Sequence, residues 1–292
     1  MLHPIRAKVK SWRYQRKHHL LVRLASEIYR HTREFGILLR LPFLQRRLRQ
    51  SLYIHDSNEL VDLAVSGFGG AFRPIQNITE LRALAEVLRE QAPRRILEIG
   101  TARGGTLFLF CRLASPGAHI ISIDLPGGWF GGGYPSWKKL LYQRFARPGQ
   151  RLDLIRADSH HPDTVRDVEQ LLQGEKFDFV LIDGDHTYDG VKRDFDVYRR
   201  FVEPGGFIAF HDIVPNRRDR ACEVDRFWAE VKDDYPAFEL VEKWSQLGAG
   251  IGLIRYGGRP EAVDDTPTWE AGDVFAPEDA SVSEPGPTPV AA

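Results

Sequence analysis

The sequence predicts an α/β fold with a doubly wound, mostly parallel seven-stranded sheet, helices on both faces and a C-terminal antiparallel hairpin. Two observations support this prediction. Short apolar runs alternate along the chain with helical patterns. The runs are continuously apolar, which is typical of parallel strands that are covered on both faces. A chain of 292 residues with 42% hydrophobic residues is long and apolar enough for such a core.

The first half of the domain begins with a helical pattern after Asn77, a predicted N-cap with Glu80 at the third helical position. Ala92 and Pro93 end that helix. A first strand, a glycine turn with a helix, and a second and third strand follow as RRILEIG, TARGGTLFLFCRLA, HIISIDL and RLDLIRAD. The third of the predicted strands is therefore reached before residue 160.

The second half continues the alternation. The sequence predicts a helix over Pro162–Leu172 with Gly174 after it, a fourth strand FDFVLID and a helix over Gly190–Phe201. A turn EPGG then precedes a fifth strand, FIAFHDI. Residues Arg220–Asp233 are predicted to be helical, and FELVEKW and GIGLIRY form the hairpin that brings the sheet to seven strands.

Charge is unevenly distributed, although the formal net charge is zero. Residues 1–50 hold 13 Lys/Arg against 2 Asp/Glu, and residues 257–292 hold 1 against 8. We predict a basic helical extension over residues 1–74, an α/β domain over 75–256 and an acidic, Pro- and Ala-rich disordered tail over 257–292. The basic segment is compatible with packing on the domain, peripheral contact with an anionic membrane or phosphorylated substrate, or an RNA-binding arm.

The two cysteines, Cys111 and Cys222, are too far apart for a CxxC pair and provide no disulfide framework. No stretch approaches the roughly 18 apolar residues of a membrane span. Charged residues interrupt the N-terminal apolar runs, which is atypical of a signal peptide. We therefore expect a cytoplasmic protein. No nucleic-acid partner is expected at zero net charge, and a homo-oligomer is left open.

Ligands of doubly wound sheets bind beyond the carboxyl ends of the strands. Strand one ends in the turn Gly100-Thr101-Ala102-Arg103-Gly104-Gly105, a spacing that differs from the GxGxxG of pyrophosphate binders. Strand two ends in Asp124, placed to accept hydrogen bonds from a ribose, and strand three in Asp158. Each feature taken alone is also compatible with a tight turn, a helix cap or a solvated acid.

Five segments taken in order resemble the motifs of class I S-adenosylmethionine-dependent methyltransferases: ILEIGTARGG, IISIDL, RADS, FDFVLIDGDH and EPGGFIAFHD. The resemblance covers roughly residues 75–256 and implies a Rossmann-like fold. It implies that Glu98 lies near the methionine amine of S-adenosylmethionine and that Asp124 holds the ribose. The remaining cofactor-binding residues that it implies are Gly100, Thr101, Gly104, Leu125, Asp158 and Ser159.

The resemblance extends to metal-dependent O-methyltransferases, in which the tips of strands four and five carry a divalent metal. Here those tips supply Asp183, His211 and Asp212, the predicted ligands of Mg²⁺ or Mn²⁺. The His-Asp pair departs from the usual Asp-Asn or Glu-Asp pair and also favours Fe²⁺ or Zn²⁺, because imidazole is a softer ligand. The resemblance places the general base at the position of His186. Asp185 is predicted to support the metal ligands from behind or to cap a helix, and not to be a ligand.

Residues 125–137 form a long Gly- and aromatic-rich segment that we predict to be a lid over cofactor and acceptor. Its aromatic residues are Trp129, Phe130, Tyr134 and Trp137. The sequence also resembles the cephalosporin hydroxylase-like and sugar O-methyltransferase groups, which implies a sugar or small natural-product hydroxyl as acceptor. A metal-independent N- or O-methyltransferase, a non-catalytic cofactor-binding domain docked to membrane and an NAD oxidoreductase are the alternatives.

Overall fold

A computed structural model describes residues 32–127, 133–217 and 219–257 of the chain. The chain divides into two compact units after Leu52. In the first unit, helix α1 spans residues 32–39 and helix α2 spans Leu41–Gln50. The basic segment is thus helical where it is described, as predicted, whereas residues 1–31 lie outside the described residues. None of the described helices is long and apolar enough to cross a membrane.

The second unit is built around one sheet of seven strands. In chain order these are β1 (Arg95–Ile99), β2 (His119–Ile123), β3 (Arg151–Ile155), β4 (Phe177–Ile182), β5 (Val202–His211), β6 (Ala237–Leu240) and β7 (Ile251–Arg255). Their order across the sheet is β3-β2-β1-β4-β5-β7-β6. Strands β1 to β5 pair in parallel, while β7 pairs antiparallel with β5 and β6. The predicted doubly wound sheet and C-terminal hairpin are confirmed.

Helices follow most of the strands. They are α3 (Ser57–Asp62), α4 (Ile78–Gln91), α5 (Gly105–Leu113), α6 (Lys138–Tyr142), α7 (Pro162–Leu172), α8 (Tyr188–Tyr198) and α9 (Val224–Val231). Asn77 caps α4 by accepting a hydrogen bond from Thr79 N, as predicted. The buried Glu80 accepts hydrogen bonds from Gln246 Nε2 and Gly250 N and so fixes the loop between β6 and β7.

Three predicted boundaries were wrong. The predicted turn at Glu203–Gly206 lies inside β5, because the β4–β5 register shifts between Phe177 and Phe179 and absorbs the extra residues. Helix α8 begins before Gly190 because Thr187 Oγ1 accepts a hydrogen bond from Gly190 N, and its predicted last turn is a 3₁₀ turn. Helix α9 begins at Val224 rather than Arg220.

The unit boundary after Leu52 lies upstream of the domain boundary predicted at residue 74. Residues that follow Leu52 pack into the unit that holds the sheet. Phe68 packs edge-to-face against Phe108 of α5, with ring centroids 5.2 Å apart, and Phe72 packs in the same way against Phe145, at 4.9 Å. Such aromatic pairs contribute about 0.5–1.5 kcal/mol each beyond the area that they bury.

Candidate active site at the carboxyl edge of the sheet

The turn between β1 and α5 packs directly against the tip of β4. Gly100 has a φ of 99°, and a Cβ atom there would lie 1.9 Å from the carbonyl oxygen of Asp183. Gly104 has a φ of 81°, and a Cβ atom there would lie 2.9 Å from Cζ of Tyr142. Both positions therefore require glycine. The hydroxyl of the buried Thr101 hydrogen-bonds with that of Ser122 on β2.

Glu98 is a fully buried carboxyl group near the end of β1. Ser122 Oγ donates a hydrogen bond of 2.6 Å to Glu98 Oε2. Burial raises the pKa of Glu98 to about 8, and the hydroxyls of Ser122 and Thr106 offset only part of that rise. The acids Asp124 and Asp183 raise the pKa further. A cationic ligand group at this position would therefore stabilise the ionised carboxylate.

Asp124 follows β2 directly and is 5% exposed. Its two oxygens accept backbone hydrogen bonds, Oδ2 from Ala102 N at 2.8 Å and Oδ1 from Gly133 N at 3.0 Å. Burial raises the pKa of Asp124 to about 6, and the two backbone hydrogen bonds work against that rise. A carboxylate offers about four lone-pair sites, so each oxygen retains capacity for another donor. The neighbouring Leu125 is an exposed apolar side chain.

Asp158 and Ser159 lie after β3, as predicted. The Asp158 side chain is 52% exposed, and its Oδ1 accepts a hydrogen bond from His160 N at 2.8 Å. The Ser159 carbonyl oxygen accepts one from the Tyr198 hydroxyl at 2.7 Å. The segment is thus fixed at the same edge of the sheet as Asp124, while the Asp158 carboxylate stays accessible.

The tips of β4 and β5 bring the three predicted metal ligands together. His211 Nδ1 lies 3.1 Å from Asp183 Oδ1 and 3.5 Å from Asp212 Oδ2. One potential ligand atom from each of the three residues falls within 4.8 Å of the others. Burial lowers the pKa of His211, but the carboxylates of Asp183 and Asp212 hold it well above its usual value. The same ion pairs outweigh burial and hold the pKa of Asp212 well below its usual range.

This donor set fits a divalent cation. Ligand atoms that share one metal ion with bonds of about 2.1 Å lie about 3.0–3.4 Å apart in octahedral or tetrahedral geometry. The two His211 distances, 3.1 and 3.5 Å, are close to that spacing. Within the described residues, Nε2 of the buried His211 has no hydrogen-bond partner, while Nδ1 faces the two carboxylates. Asp212 has a φ of 67°, a strained conformation for a non-glycine residue that is enriched at functional sites.

His186, the predicted general base, lies between the two carboxylates. Its Nε2 is 3.4 Å from Asp183 Oδ1, and its Nδ1 is 3.2 Å from Asp212 Oδ2. Burial opposes the charged imidazolium, but contacts with these acids raise the pKa of His186 well above its usual value. The structure therefore places His186 within the same cluster as the three predicted ligands.

Two further residues, which the sequence analysis did not identify, contact this cluster. Gln76 Nε2 donates a 3.0 Å hydrogen bond to Asp183 Oδ2. The buried Cys222 lies beside His186 and Asp212, with one potential ligand atom of each residue within 4.8 Å of the others. Both residues come from irregular segments outside the strand motifs, where no periodicity or motif marks them.

The neighbouring polar residues have structural partners. Asp185 Oδ1 accepts hydrogen bonds from the backbone and hydroxyl of Thr187, so Asp185 supports the residue that caps α8 and is not itself the cap. His161 caps α7 through its Nδ1, which accepts from Asp163 N. His160 Nε2 lies 3.2 Å from Oδ1 of the fully buried Asp194.

Part of the predicted lid is described. Tyr134 is 2% exposed and packs edge-to-face on Tyr142, with ring centroids 4.8 Å apart. Trp137 precedes α6 and is half-buried. Trp129 and Phe130 lie outside the described residues. Tyr134 thus packs on the last residue of α6, and the lid function stays a prediction.

The chain resembles known proteins over this same region. A family model described as "Methyltransferase domain" matches residues 97–213. An uncharacterised protein of Sinorhizobium fredii is 25% identical over 166 residues, which cover 56% of this chain and 17% of that protein. The phthiotriol/phenolphthiotriol dimycocerosates methyltransferase of Mycobacterium leprae is 28% identical over 133 residues, 45% of this chain and 42% of that protein. The chain spans less than half the length of these two relatives.

A solved structure is also similar. The O-methyltransferase from Bacillus cereus, in complex with SAH, aligns with a TM-score of 0.48 and 20% sequence identity. The alignment covers 69% of this chain and 91% of that one. At this identity and TM-score, the likeness says nothing about substrate or mechanism, which must be argued from the residues of this chain.

Proposed function

We propose that this chain, whose residues 97–213 are a methyltransferase domain, is an S-adenosylmethionine-dependent O-methyltransferase. It methylates a hydroxyl group of a small acceptor, sugar-containing or another natural product, with the help of a divalent cation. One observation carries the proposal: four neighbouring strands deliver the acids Glu98, Asp124, Asp183 and Asp212, all largely buried, to one edge of the sheet. Burying so many carboxylates together is costly unless cationic partners compensate.

The cofactor's ammonium group supplies the missing charge for Glu98, whose raised pKa indicates a carboxyl group without compensation. Asp124 accepts the ribose hydroxyls with the lone pairs that its two backbone hydrogen bonds leave available. Gly100 and Gly104 let the backbone approach the cofactor closely. Asp158 and Ser159 border the adenine ring from the end of β3.

Asp183, His211 and Asp212 hold the divalent cation, whose charge lowers the pKa of the acceptor hydroxyl when it is bound. The supporting observations are their 3.1–3.5 Å contacts and, within the described residues, the unpartnered Nε2 of His211. Gln76 orients Asp183 by donating to its other oxygen. Such supporting hydrogen bonds fix the direction of a ligand's lone pairs.

A bound cation offsets the charge of Asp183 and Asp212, the acids that otherwise keep His186 protonated. The neutral ring then accepts the acceptor's proton at Nε2, whose contact with an acid is the longer of its two. The acceptor oxygen forms its new bond to the methyl carbon, the sulfur keeps the electron pair of the broken carbon–sulfur bond, and the proton resides on His186. General-base assistance of this kind contributes roughly 10²–10⁴-fold in rate. Holding the oxygen and the methyl carbon in line supplies much of the remaining acceleration.

Methyl transfer from labelled S-adenosylmethionine to a panel of sugar, polyketide and catechol hydroxyls tests the proposal. The purified chain is stripped with chelator and then assayed with and without Mg²⁺ or Mn²⁺. We expect turnover only with metal, no metal-stimulated turnover in Asp212→Ala and a slowed chemical step in His186→Ala. The exposed α7 variant Asp167→Ala is the control and retains full activity.

The same assay separates the alternatives. Full activity in chelator supports a metal-independent methyltransferase and rejects the metal site. Cofactor binding that is absent, or that occurs without methyl transfer to any acceptor, supports a non-catalytic domain. Cytoplasmic location, self-association and membrane contact through residues 1–50 stay predictions.

A further inference from the structure

Cys222 is a buried thiol in the segment between β5 and α9, and it contacts the candidate metal centre. Its Sγ, one ring nitrogen of His186 and one carboxylate oxygen of Asp212 lie within 4.8 Å of one another. This second set shares Asp212 with the set formed by Asp183 and His211. The thiol of Cys222 and the imidazole of His186 thus lie close to the carboxylate that the two sets share.

The backbone holds this arrangement in place. Glu223 N donates a 2.8 Å hydrogen bond to the carbonyl oxygen of His186, so the segment that carries Cys222 is tied to the loop after β4. Cys222 N itself donates to the Asp219 carbonyl oxygen at 3.2 Å. These two main-chain hydrogen bonds hold the Cys222 thiol near His186, so the thiol needs no large movement to reach a metal ion bound there.

The spacing also suits coordination. His186 Nδ1 lies 3.2 Å from Asp212 Oδ2, within the range of about 3.0–3.4 Å for two ligands on one ion with bonds of about 2.1 Å. Thiolate is a soft ligand that favours zinc, iron and cobalt, whereas Mg²⁺ takes oxygen ligands almost exclusively. Including sulfur would therefore change which metal the centre selects.

We propose that Cys222 and His186 join Asp212 as ligands of a thiolate-containing metal site that selects a zinc-class transition metal over Mg²⁺. The inference rests on the proposed methyltransferase centre and names its metal more narrowly. Binding breaks the sulfur–hydrogen bond of Cys222, forms a sulfur–metal bond and releases the proton to solvent. In this centre His186 is a metal ligand through Nδ1, which replaces the general-base role proposed for it above, and the acceptor's proton is released to solvent.

Cobalt(II) titration of the metal-stripped full chain tests this proposal, because a Co²⁺–thiolate bond gives a near-ultraviolet charge-transfer absorption band. We expect the band at one Co²⁺ per chain and its retention in excess Mg²⁺. The chain has only two cysteines, so Cys111→Ser is a matched control. Cys111 is buried in α5. The band survives in Cys111→Ser, which leaves Cys222 as the sole thiol, and disappears in Cys222→Ser.

Co²⁺ binding without the band in the wild type or in Cys111→Ser overturns the proposal, as does a band that persists in Cys222→Ser. Even if Cys222→Ser does not fold, the presence or absence of the band in Cys111→Ser shows whether Cys222 binds the metal, because Cys222 is then the sole thiol. Cofactor affinity of the wild-type chain is measured in parallel by calorimetry. A thiolate band in a chain that does not bind S-adenosylmethionine rejects the methyltransferase function and keeps the metal site. Binding of S-adenosylmethionine by a chain without the band rejects only the thiolate ligand.

Discussion

Gly100 and Asp183 are packed so closely that a Cβ atom on Gly100 would lie 1.9 Å from the Asp183 carbonyl oxygen. Gly100 belongs to the predicted cofactor turn after β1, and Asp183 ends β4 as a predicted metal ligand. Asp183 N also donates a 2.8 Å hydrogen bond to the Ile99 carbonyl oxygen. The two halves of the candidate site are therefore mechanically linked through the backbone.

This contact predicts that Gly100→Ala damages both halves at once. The added methyl group clashes with the β4 tip, and φ of 99° strains any residue that has a Cβ. We expect a loss of about 2 kcal/mol or more in the free energy of unfolding. Weaker binding of both S-adenosylmethionine and divalent metal should accompany it. Gly117→Ala is the control, because a Cβ there meets nothing within 4 Å. Normal affinity for both ligands in a folded Gly100→Ala variant would contradict the link.

The buried Glu98 predicts proton release on cofactor binding. With a pKa of about 8, raised mainly by burial, Glu98 is largely protonated at pH 7. The cofactor's ammonium group favours the carboxylate, so binding at pH 7 should expel a proton. Calorimetry in buffers of different ionisation enthalpy measures this release. We expect Glu98→Gln to abolish it, while identical binding enthalpies in all buffers for the wild type would show that Glu98 does not meet the cation.

Glu98 also predicts how stability depends on pH. Its folded pKa of about 8 exceeds the ordinary value of 4.5, so between these pH values the folded chain holds a proton that the unfolded chain has lost. The contribution of Glu98 to stability therefore falls as pH rises across this window. Urea denaturation between about pH 5 and 8, the window between these two pKa values, should show a shallower decline in the free energy of unfolding for Glu98→Gln than for the wild type. The exposed α7 variant Glu169→Gln should retain the wild-type slope.

Asp124 is predicted to hold the cofactor's ribose. Asp124→Ala removes every acceptor and should weaken S-adenosylmethionine binding at least about tenfold, since hydrogen bonds to charged groups contribute about 1.5–3 kcal/mol. Asp124→Asn keeps one acceptor oxygen, so its affinity for S-adenosylmethionine should lie between those of the wild type and Asp124→Ala. Asp124 also accepts hydrogen bonds from Ala102 N and Gly133 N, so thermal melting must be recorded alongside calorimetry. Unchanged affinity in a folded Asp124→Ala chain would exclude the ribose role.

The sheet and its functional edge were predictable because their signals are local. Each apolar run identifies a strand, and the acid that follows it, such as Asp124 or Asp183, must then lie at the carboxyl edge of a parallel sheet. The adjacency of Asp183 and His211 follows from the neighbouring positions of β4 and β5. The strand ends can be read from the alternation of apolar runs, whereas the strand order that makes β4 and β5 neighbours was implied by the family resemblance.

Other parts of the site depend on packing between distant segments. Gln76 reaches Asp183 across 107 positions of sequence, and Cys222 reaches His186 through a loop without periodicity. No local pattern encodes such contacts. The prediction of a turn at Glu203–Gly206 was wrong for a related reason, because a register shift against β4 keeps these residues in the sheet. Proline and glycine in EPGG favour a turn locally, but pairing with the neighbouring strand prevails.

Asp194 and His160 support a last prediction about pH. Asp194 is fully buried in α8, and its Oδ1 lies 3.2 Å from His160 Nε2. This contact raises the pKa of His160; burial opposes the rise, Asp158 adds to it and Arg193 works against it. Because the folded pKa lies above the ordinary 6.5, the pair stabilises the fold fully below that pH and loses its effect as pH rises through the raised value.

Asp194→Asn should therefore destabilise the chain most at acidic pH, and its deficit relative to the wild type should shrink as pH rises. Urea denaturation at a series of pH values, with nuclear magnetic resonance titration of the His160 ring, measures both consequences. His160→Asn should show the same pH trend, since it removes the other partner. His161→Asn is the matched control: His161 caps α7 from an exposed position and makes no contact with Asp194 that the described structure records. A deficit for Asp194→Asn that is independent of pH, or an unshifted His160 titration, would show that the pair is not ionic.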